Sequence, residues 1–571
     1  MSDAGRPGRA RLQDLVVDLR GRVAPDRPRA GLALVAAALA ALFFALARYP
    51  IAYGDVRAPL DIVPGLPAQA LSILAPLPAA LTAAACVVEP WVGILAILLL
   101  TPWFDAAQVG WWAGPVQVLG LTVFVLALGA GVALTCRHPD RRASLRQRLA
   151  GHRLAFGGGL ALLALATAST VRSPDIGASG PVWLHGVVEP LTLGLLALLL
   201  VPDRRALRWA ILALGLSAAL AGLIDLVQTA PTVPSLLALQ DHDRTIFARL
   251  TYFNVGLFGE VLAMAIPLLA AAWLWAGGFG RGRDRLGSLS RGAARRSMAW
   301  SGPIREDSAL RGPDRPGAAT LSVISIALLV TLACLYLTFS KSAWLATGVA
   351  LCLLALACLH GWRSRLVAVF LAVVASAVVA PWPLVVLRPM APPVAGGYEA
   401  LMTRIWGADR LASWDPTTAG GEVSITERLY ASGAALQMAA DHPLLGVGLD
   451  RFKSEYAGAY RDPRAKVVLD SAHDLLPNLA AESGLPFALL VAAAMAAGLA
   501  AAWRVWRATD DADLRLLAAG LGTALVAWWI VSATFDPDLY RIWRLMASDI
   551  VFAAVLVGLA LALPGLADAR S

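Results

Sequence analysis

Apolar residues run in long blocks along this chain, and short polar stretches rich in arginine separate them. A helix that crosses a bilayer needs ~20 mostly apolar residues. Blocks of about that length fall at 31–48, 66–87, 91–107, 115–135, 154–170, 181–201, 208–228, 252–276, 320–338, 342–360, 366–386, 479–502, 514–534 and 542–563. The pattern predicts fourteen spans, or twelve if the pair 66–87 and 91–107 is re-entrant. Either number is even, which puts both termini on one side.

The arginines fix the orientation. Seven of them, from Arg6 to Arg29, precede the first block. Arg137, Arg141, Arg142, Arg146, Arg148 and Arg153 lie between the fourth and fifth, and Arg204, Arg205 and Arg208 between the sixth and seventh. A Gly/Ser/Pro-rich loop after the eighth block carries nine more, Arg281 to Arg315. Arg363 and Arg365 mark a further loop of this kind, and Arg504 and Arg507 another. When the helices alternate, all of these loops fall on one side, which the positive-inside rule makes the cytoplasm. The opposite side then receives the segment 229–251, the turn at Ser340–Lys341 and the long connection 387–478. That connection balances acids and bases and holds Trp, Tyr and Leu, so it reads as short helices and turns rather than disorder.

The organisation that follows is a basic cytoplasmic segment 1–30, a transmembrane region 31–386 with a cytoplasmic basic loop 277–318, an extracytoplasmic loop 387–478, and C-terminal transmembrane helices 479–571. The fold class is an all-α polytopic membrane protein. Composition agrees: 58% of the 571 residues are hydrophobic and only 15% charged, against ~25% charged in ordinary soluble chains. The net charge of +9 is accounted for by the cytoplasmic loops, not by nucleic acid. The five cysteines, Cys86, Cys136, Cys334, Cys352 and Cys358, show no C-x-x-C spacing, so neither a disulfide framework nor a zinc site is expected.

Ionisable residues inside spans are costly and usually face a protein interior or cavity. His185, Glu189, Asp225, Glu260 and Asp549 all fall toward the outer ends of their spans, and Lys341, Arg541 and Arg544 join them at the outer interface. Such a one-sided set suggests a polar chamber that opens outward. Two D-x-D triplets, Asp241-His242-Asp243 and Asp536-Pro537-Asp538, also face outward; triplets this short read first as turns. No P-loop and no H-E-x-x-H occurs.

The most specific stretch is Asp441-His442-Pro443-Leu444-Leu445-Gly446-Val447-Gly448-Leu449-Asp450-Arg451-Phe452, followed by Ser471-Ala472-His473-Asp474 and Glu482-Ser483-Gly484. Gly446 and Gly448 permit a tight backbone, and Pro443 sets the entry to the turn. His473 precedes the apolar run of a spanning helix at its outer end. Composition alone reads it as a capping or interface residue; as a neutral imidazole it can accept a proton near neutral pH.

This segment resembles the signature of the O-antigen ligase family, the bacterial polytopic glycan ligases and their polymerase relatives. His442 to Phe452 resembles the family's HPLLGVGxxxF turn, and Ala472 to Gly484 its AHNxxLxxxxExG run, with Asp474 in place of Asn and Pro477 in place of Leu. Upstream, Ala248 to Asn254 is similar to RxxGTFxNPN, Leu337 to Trp344 to TxSRGAW with Lys341 for Arg, and Glu427-Arg428-Leu429 to ERLxxW. The resemblance covers roughly 245–500. It implies a GT-C-like, metal-independent glycosyltransferase without a cofactor, in the bacterial cytoplasmic (inner) membrane with its active site outside. A glycan on undecaprenyl diphosphate would pass to an acceptor hydroxyl on a lipid core, protein or polymer. His473 would be the general base. Arg249 and Lys341, with Arg244 and Arg428 behind them, would meet the charge that develops on the diphosphate. Asp474 or Glu482 would orient His473.

Two other readings stay open. A polysaccharide polymerase would use the same chemistry on a second lipid-linked chain. A transporter of lipid-linked glycan would use none, but transporters often show paired repeats and midplane sites, and no repeat is visible here.

Overall fold

The computed structural model describes residues 51–53, 56–58, 76–106, 115–229, 255–277, 318–338, 340–358, 420–534 and 548–568, with isolated positions at 32, 35, 396, 397, 399 and 400. The predicted span 366–386, most of 31–48 and the basic loop after the eighth block lie outside these residues.

The chain divides into two compact units, Met1–Gly151 and His152–Ser571. In the first, β1 (Ile51–Tyr53) and β2 (Val56–Ala58) form a small antiparallel hairpin in which Ile51 pairs with Ala58. Four helices follow: α1 (Pro76–Val88), α2 (Pro90–Ala106), α3 (Pro115–Thr135) and α4 (Pro139–Gly151). A proline opens each one, where its missing N–H costs no helical hydrogen bond. The segment from 139 to 151, expected as a loop, is a helix, and the chain bends by 118° between α3 and α4.

The second unit is a helical bundle. Its elements are α5 (Arg153–Arg172), α6 (Ile176–Val182), a π turn at Trp183–Val188, α7 (Glu189–Leu200), α8 (Arg204–Thr229), α9 (Val255–Gly277), α10 (Ala318–Leu337), α11 (Lys341–Cys358), α12 (Gly420–Asp441), α13 (Phe452–Glu455) with a π turn at Tyr456–Tyr460, α14 (Leu475–Ser483), α15 (Leu485–Ala508), α16 (Ala512–Thr534) and α17 (Ser548–Asp568). Among the described residues eight helices or continuous helical runs are long and apolar enough to cross a membrane, and all eight lie in this unit. The all-α polytopic expectation holds, with the small hairpin as its one addition among those residues.

Burial ranks the helices. α9 is central, with 78% of its apolar window buried, and packs against α8, α10, α11 and α16. α5 and α10 have only 28% buried and form the rim; Leu160 and Leu329 there are each 67% exposed, as side chains that meet lipid would be. α7 and α17 approach most closely, because a Cβ on Gly194 would meet the Ala554 carbonyl and one on Gly558 the Gly194 carbonyl. Small residues at such crossings let backbones touch, the usual device where lipid removes the hydrophobic drive between helices.

One end of the bundle is clipped by charge. Arg204 pairs with Asp511 and also donates to the Leu566 carbonyl at 3.0 Å, while Arg208 pairs with Asp513 at 2.8 Å and lies 5.0 Å from the Trp275 ring. These contacts bind the start of α8 to the α15–α16 turn and the end of α17. α15 spans about 36 Å at 1.5 Å per residue, so its first residues sit at the opposite end, where the histidine-bearing motif is found. The predicted helix 479–502 is in fact two helices, broken at Gly484, whose φ is 88°.

Candidate active site

The site is built on α12. Ala431, Ala434, Ala435 and Met438 recur at helical spacing and are buried against Phe452, Tyr456, Ala465, Ala472 and Ala481. Burying side chains the size of Met438 and Phe452 stabilises the unit by roughly 1.5–3 kcal/mol each. Glu427, near the start of α12, is 4% exposed and receives the amides of Lys466 at 2.8 Å and Val467 at 3.2 Å, so it ties down the loop before His473. Arg464 grips Asp462 through two nitrogens at 3.0 and 2.9 Å and holds its carboxyl down at about 2.

Pro443 ends α12, since the residue before a proline is pushed out of helical geometry. The turn that follows alternates left-handed residues: Gly446 at φ 65°, Gly448 at 109° and Asp450 at 59°. It closes over the end of α14. The Val447 amide donates to the Ala481 carbonyl at 2.8 Å, and Gly448 to the Glu482 carbonyl at 3.0 Å. Leu485, at the start of α15, donates back to the Pro443 carbonyl at 2.8 Å. Carbonyls at a helix C-terminus have no partner within the helix; here the glycine turn supplies them. A Cβ at Gly446 would strike the Glu482 carbonyl group, and one at Gly484 the Leu444 carbonyl, which explains both glycines.

Glu482 is 1% exposed. Its two carboxylate oxygens accept the Phe452 amide at 2.8 Å and the Asp450 amide at 3.3 Å, so this side chain joins the two halves of the motif. Its backbone carbonyl also accepts from Ser169 Oγ at 2.9 Å. Ser179, fully buried, donates to the Leu449 carbonyl at 2.6 Å and lies 2.7 Å from Ser173 Oγ. The corner between α5 and α6 thus braces the turn.

His473 lies two residues before α14, ahead of the apolar run, in the left-handed region at φ 55°. The residues on both sides of it are anchored. The Ala472 amide donates to Asn478 Oδ1 at 3.0 Å, Ser432 Oγ donates to the Ala472 carbonyl at 2.9 Å, and the Asn478 amide donates to the Asp474 carbonyl at 3.0 Å. The His473 side chain is half-buried, with Nδ1 covered. Burial also raises the Asp474 carboxyl above its ordinary range, against a weaker pull from the Leu476 amide.

The other expected site residues fall as follows. Arg428 is on α12, one turn before Ser432, and is half-buried. Lys341 heads α11, and its side chain lies outside the described residues, as do Arg244 and Arg249 altogether. The turn that carries Lys341 is fixed by Trp344 Nε1 donating to the Leu335 carbonyl at 2.7 Å and by Trp344 stacking on Tyr336 at 5.9 Å. α16 packs against both α14 and α11, so the two motifs share one helix as scaffold. Both D-x-D triplets, Arg541 and Arg544 fall outside the described residues, and so do the side chains of Asp225 and Asp549. His185 and Glu189 form a buried pair, Nδ1 to Oε2 at 3.0 Å. Among the described residues no three His, Cys, Asp or Glu converge as a metal site.

Ser432, Asn478, Ser169, Ser173 and Ser179 are not among the residues expected from the sequence. Asn478 carried a signal, a polar residue four positions after Asp474 within an apolar run. The serines carried none, since small hydroxyls near span ends are common.

A helical bundle with eight apolar spans among the described residues is that of a multi-pass membrane protein. Residues 326–492 match the family model Wzy_C, O-antigen ligase. The resemblance drawn from the motifs is thereby borne out, and the Ser169–Ser179 brace lies outside the matched segment. No curated protein matches the chain.

Proposed function

We propose that this protein moves a glycan from undecaprenyl diphosphate to an acceptor hydroxyl at the extracytoplasmic face of the cytoplasmic membrane, with His473 as general base. The observation that carries the reading is the backbone of His473. A side chain other than glycine in the left-handed region costs about 1–2 kcal/mol, and such geometry persists only where its surroundings over-determine it. Here Asn478 and Ser432 hold the Ala472 peptide on one side and α14 begins on the other. The strain is kept at the residue whose imidazole can take the acceptor proton.

The acceptor oxygen attacks the anomeric carbon of the lipid-linked sugar while the bond from that carbon to the diphosphate oxygen breaks. The proton goes to His473, and the electron pair leaves with undecaprenyl diphosphate. Negative charge builds on the diphosphate, which Lys341 and Arg249, with Arg244 and Arg428 behind them, would meet. Lys341 offers a point charge where a guanidinium would grip two oxygens. Asp474, the next residue in the chain, would orient His473.

The test is transfer by the purified protein with a lipid-linked donor and an acceptor. His473→Gln keeps the size and hydrogen bonding of the side chain but cannot take a proton at neutral pH. It is expected to lose roughly 10²–10⁴-fold, the usual contribution of a positioned base. Transfer by His473→Gln at the wild-type rate would assign His473 to positioning and move the base elsewhere.

A further inference from the structure

Helix α4 is unlike any other long helix described here. It is 13 residues long, has no buried residue, and follows the apolar α3 after a three-residue turn and a 118° bend. α3 is 21 residues long, and its described 121–135 part has no Asp, Glu, Lys or Arg. At 1.5 Å per residue it covers about 30 Å, the thickness of the hydrocarbon layer. If α3 crosses the bilayer, α4 starts at the water boundary and runs closer to the membrane plane than to its normal.

Its residues are sorted by face. At 3.6 residues per turn, Leu145 and Leu149 share one narrow stripe. Arg141 and Arg148 flank the stripe on one side, and Arg142 and Arg146 on the other. Ala143, Ser144, Gln147 and the helix's one acid, Asp140, occupy the opposite face. Leu149 is 43% exposed, and Arg141, Arg142 and Arg146 are exposed as well. A solvated helix has no reason to place its two leucines together between two pairs of arginines. A helix at a lipid surface does: leucines enter the acyl boundary, and arginine stems lie along it while the guanidinium groups reach back to the phosphates.

We propose that α4 lies in the headgroup layer and that its Leu145/Leu149 stripe and four arginines dock on anionic phospholipid of the cytoplasmic leaflet. Four positive charges against one acid select an anionic surface over a zwitterionic one. The inference stands apart from the transfer chemistry, since it involves neither the donor nor His473.

The test is hydrogen exchange of the peptide 139–151 in the intact protein, held in nanodiscs of phosphatidylcholine alone or mixed with phosphatidylglycerol. Exchange is expected to be several-fold slower with phosphatidylglycerol, and the difference to shrink at high salt as screening sets in. Replacing Arg141, Arg142, Arg146 and Arg148 together by Gln removes the lipid difference; replacing all four by Lys keeps it. The Lys variant separates loss of charge from loss of the helix. Equal protection in both lipids would show that protein covers this face, and equal lack of protection that it is in water. Either result, or a lipid difference that survives the Gln variant, overturns the proposal.

Discussion

Replacing His473 by glycine and by alanine separates what its backbone does from what its ring does. Both variants remove the imidazole. In the native fold residue 473 is held at φ 55°, so alanine keeps the left-handed cost of about 1–2 kcal/mol and glycine sheds it. Glycine also loosens the unfolded chain, which costs about 0.4–1 kcal/mol relative to alanine at a compatible site. The difference leaves His473→Gly more stable than His473→Ala by up to about 1.5 kcal/mol, and at worst about equal. This ordering is unusual, because glycine normally destabilises. Comparative thermal melting of both variants in the same detergent reads it, with transfer measured on the same preparations. Both are expected to lose transfer equally and to remain inserted in the membrane. A glycine variant clearly less stable than the alanine variant would refute the strained backbone. A glycine variant that still transfers would refute the ring's role.

Further outcomes follow from the same geometry. Glu482→Gln puts an amide NH₂ against one of the two backbone amides that the carboxylate now accepts; the expected cost is about 2 kcal/mol, seen as a lower melting temperature, whereas an unchanged melt would mean the clip is dispensable. Gly446→Ala drives a Cβ into the Glu482 carbonyl group in a left-handed turn and should cost more than about 2 kcal/mol, with proteolysis of the 442–452 turn as the readout. Asp474 has its carboxyl raised by burial, so its charged form is penalised in the fold at neutral pH, and the penalty vanishes once pH falls below the ordinary aspartate range. Asp474→Asn should therefore melt higher than wild type at pH 7 and no higher at pH 3; a gain that is independent of pH would rule out the buried charge as its cause. Lys341→Arg should keep transfer while Lys341→Ala loses roughly 10²–10³-fold, the scale of one transition-state donor; full activity in the alanine variant removes Lys341 from the donor site.

The fold was legible in the sequence wherever apolar runs were long. α5, α8, α9, α10 and α16 begin and end close to the blocks that predicted them, because one long run of Leu, Ala and Val can satisfy its backbone in lipid only as a helix. The break at Gly484 left only a short mark, Glu482-Ser483-Gly484 and Pro486 inside an otherwise apolar stretch, and the stretches on either side read as one span. It exists because the 442–448 turn inserts there and needs the Leu485 amide for the Pro443 carbonyl, a contact between residues 42 apart in the chain. Helix α4 was hidden for the opposite reason: its charge reads as loop, and only the leucine stripe at helical spacing betrays it.

At the site, the motif marked His473, Glu482 and the two turn glycines, but not what holds them. Glu482 reads in the sequence as an acid near a base; in the fold its carboxylate accepts the amides of Asp450 and Phe452. The Ser169 and Ser179 hydroxyls reach the motif across 313 and 270 residues, and pairings at that range leave no local pattern.

The proposed function is to join a glycan to an acceptor, not to carry it across the membrane. The direct measurement uses the wild-type protein in sealed vesicles with an undecaprenyl-diphosphate-linked glycan, scoring release of undecaprenyl diphosphate with and without acceptor. Release that needs the acceptor, matches the glycan transferred to it and disappears in His473→Gln is the predicted result. Movement of the intact lipid-linked glycan between leaflets without acceptor, with no diphosphate released when acceptor is added, would contradict it.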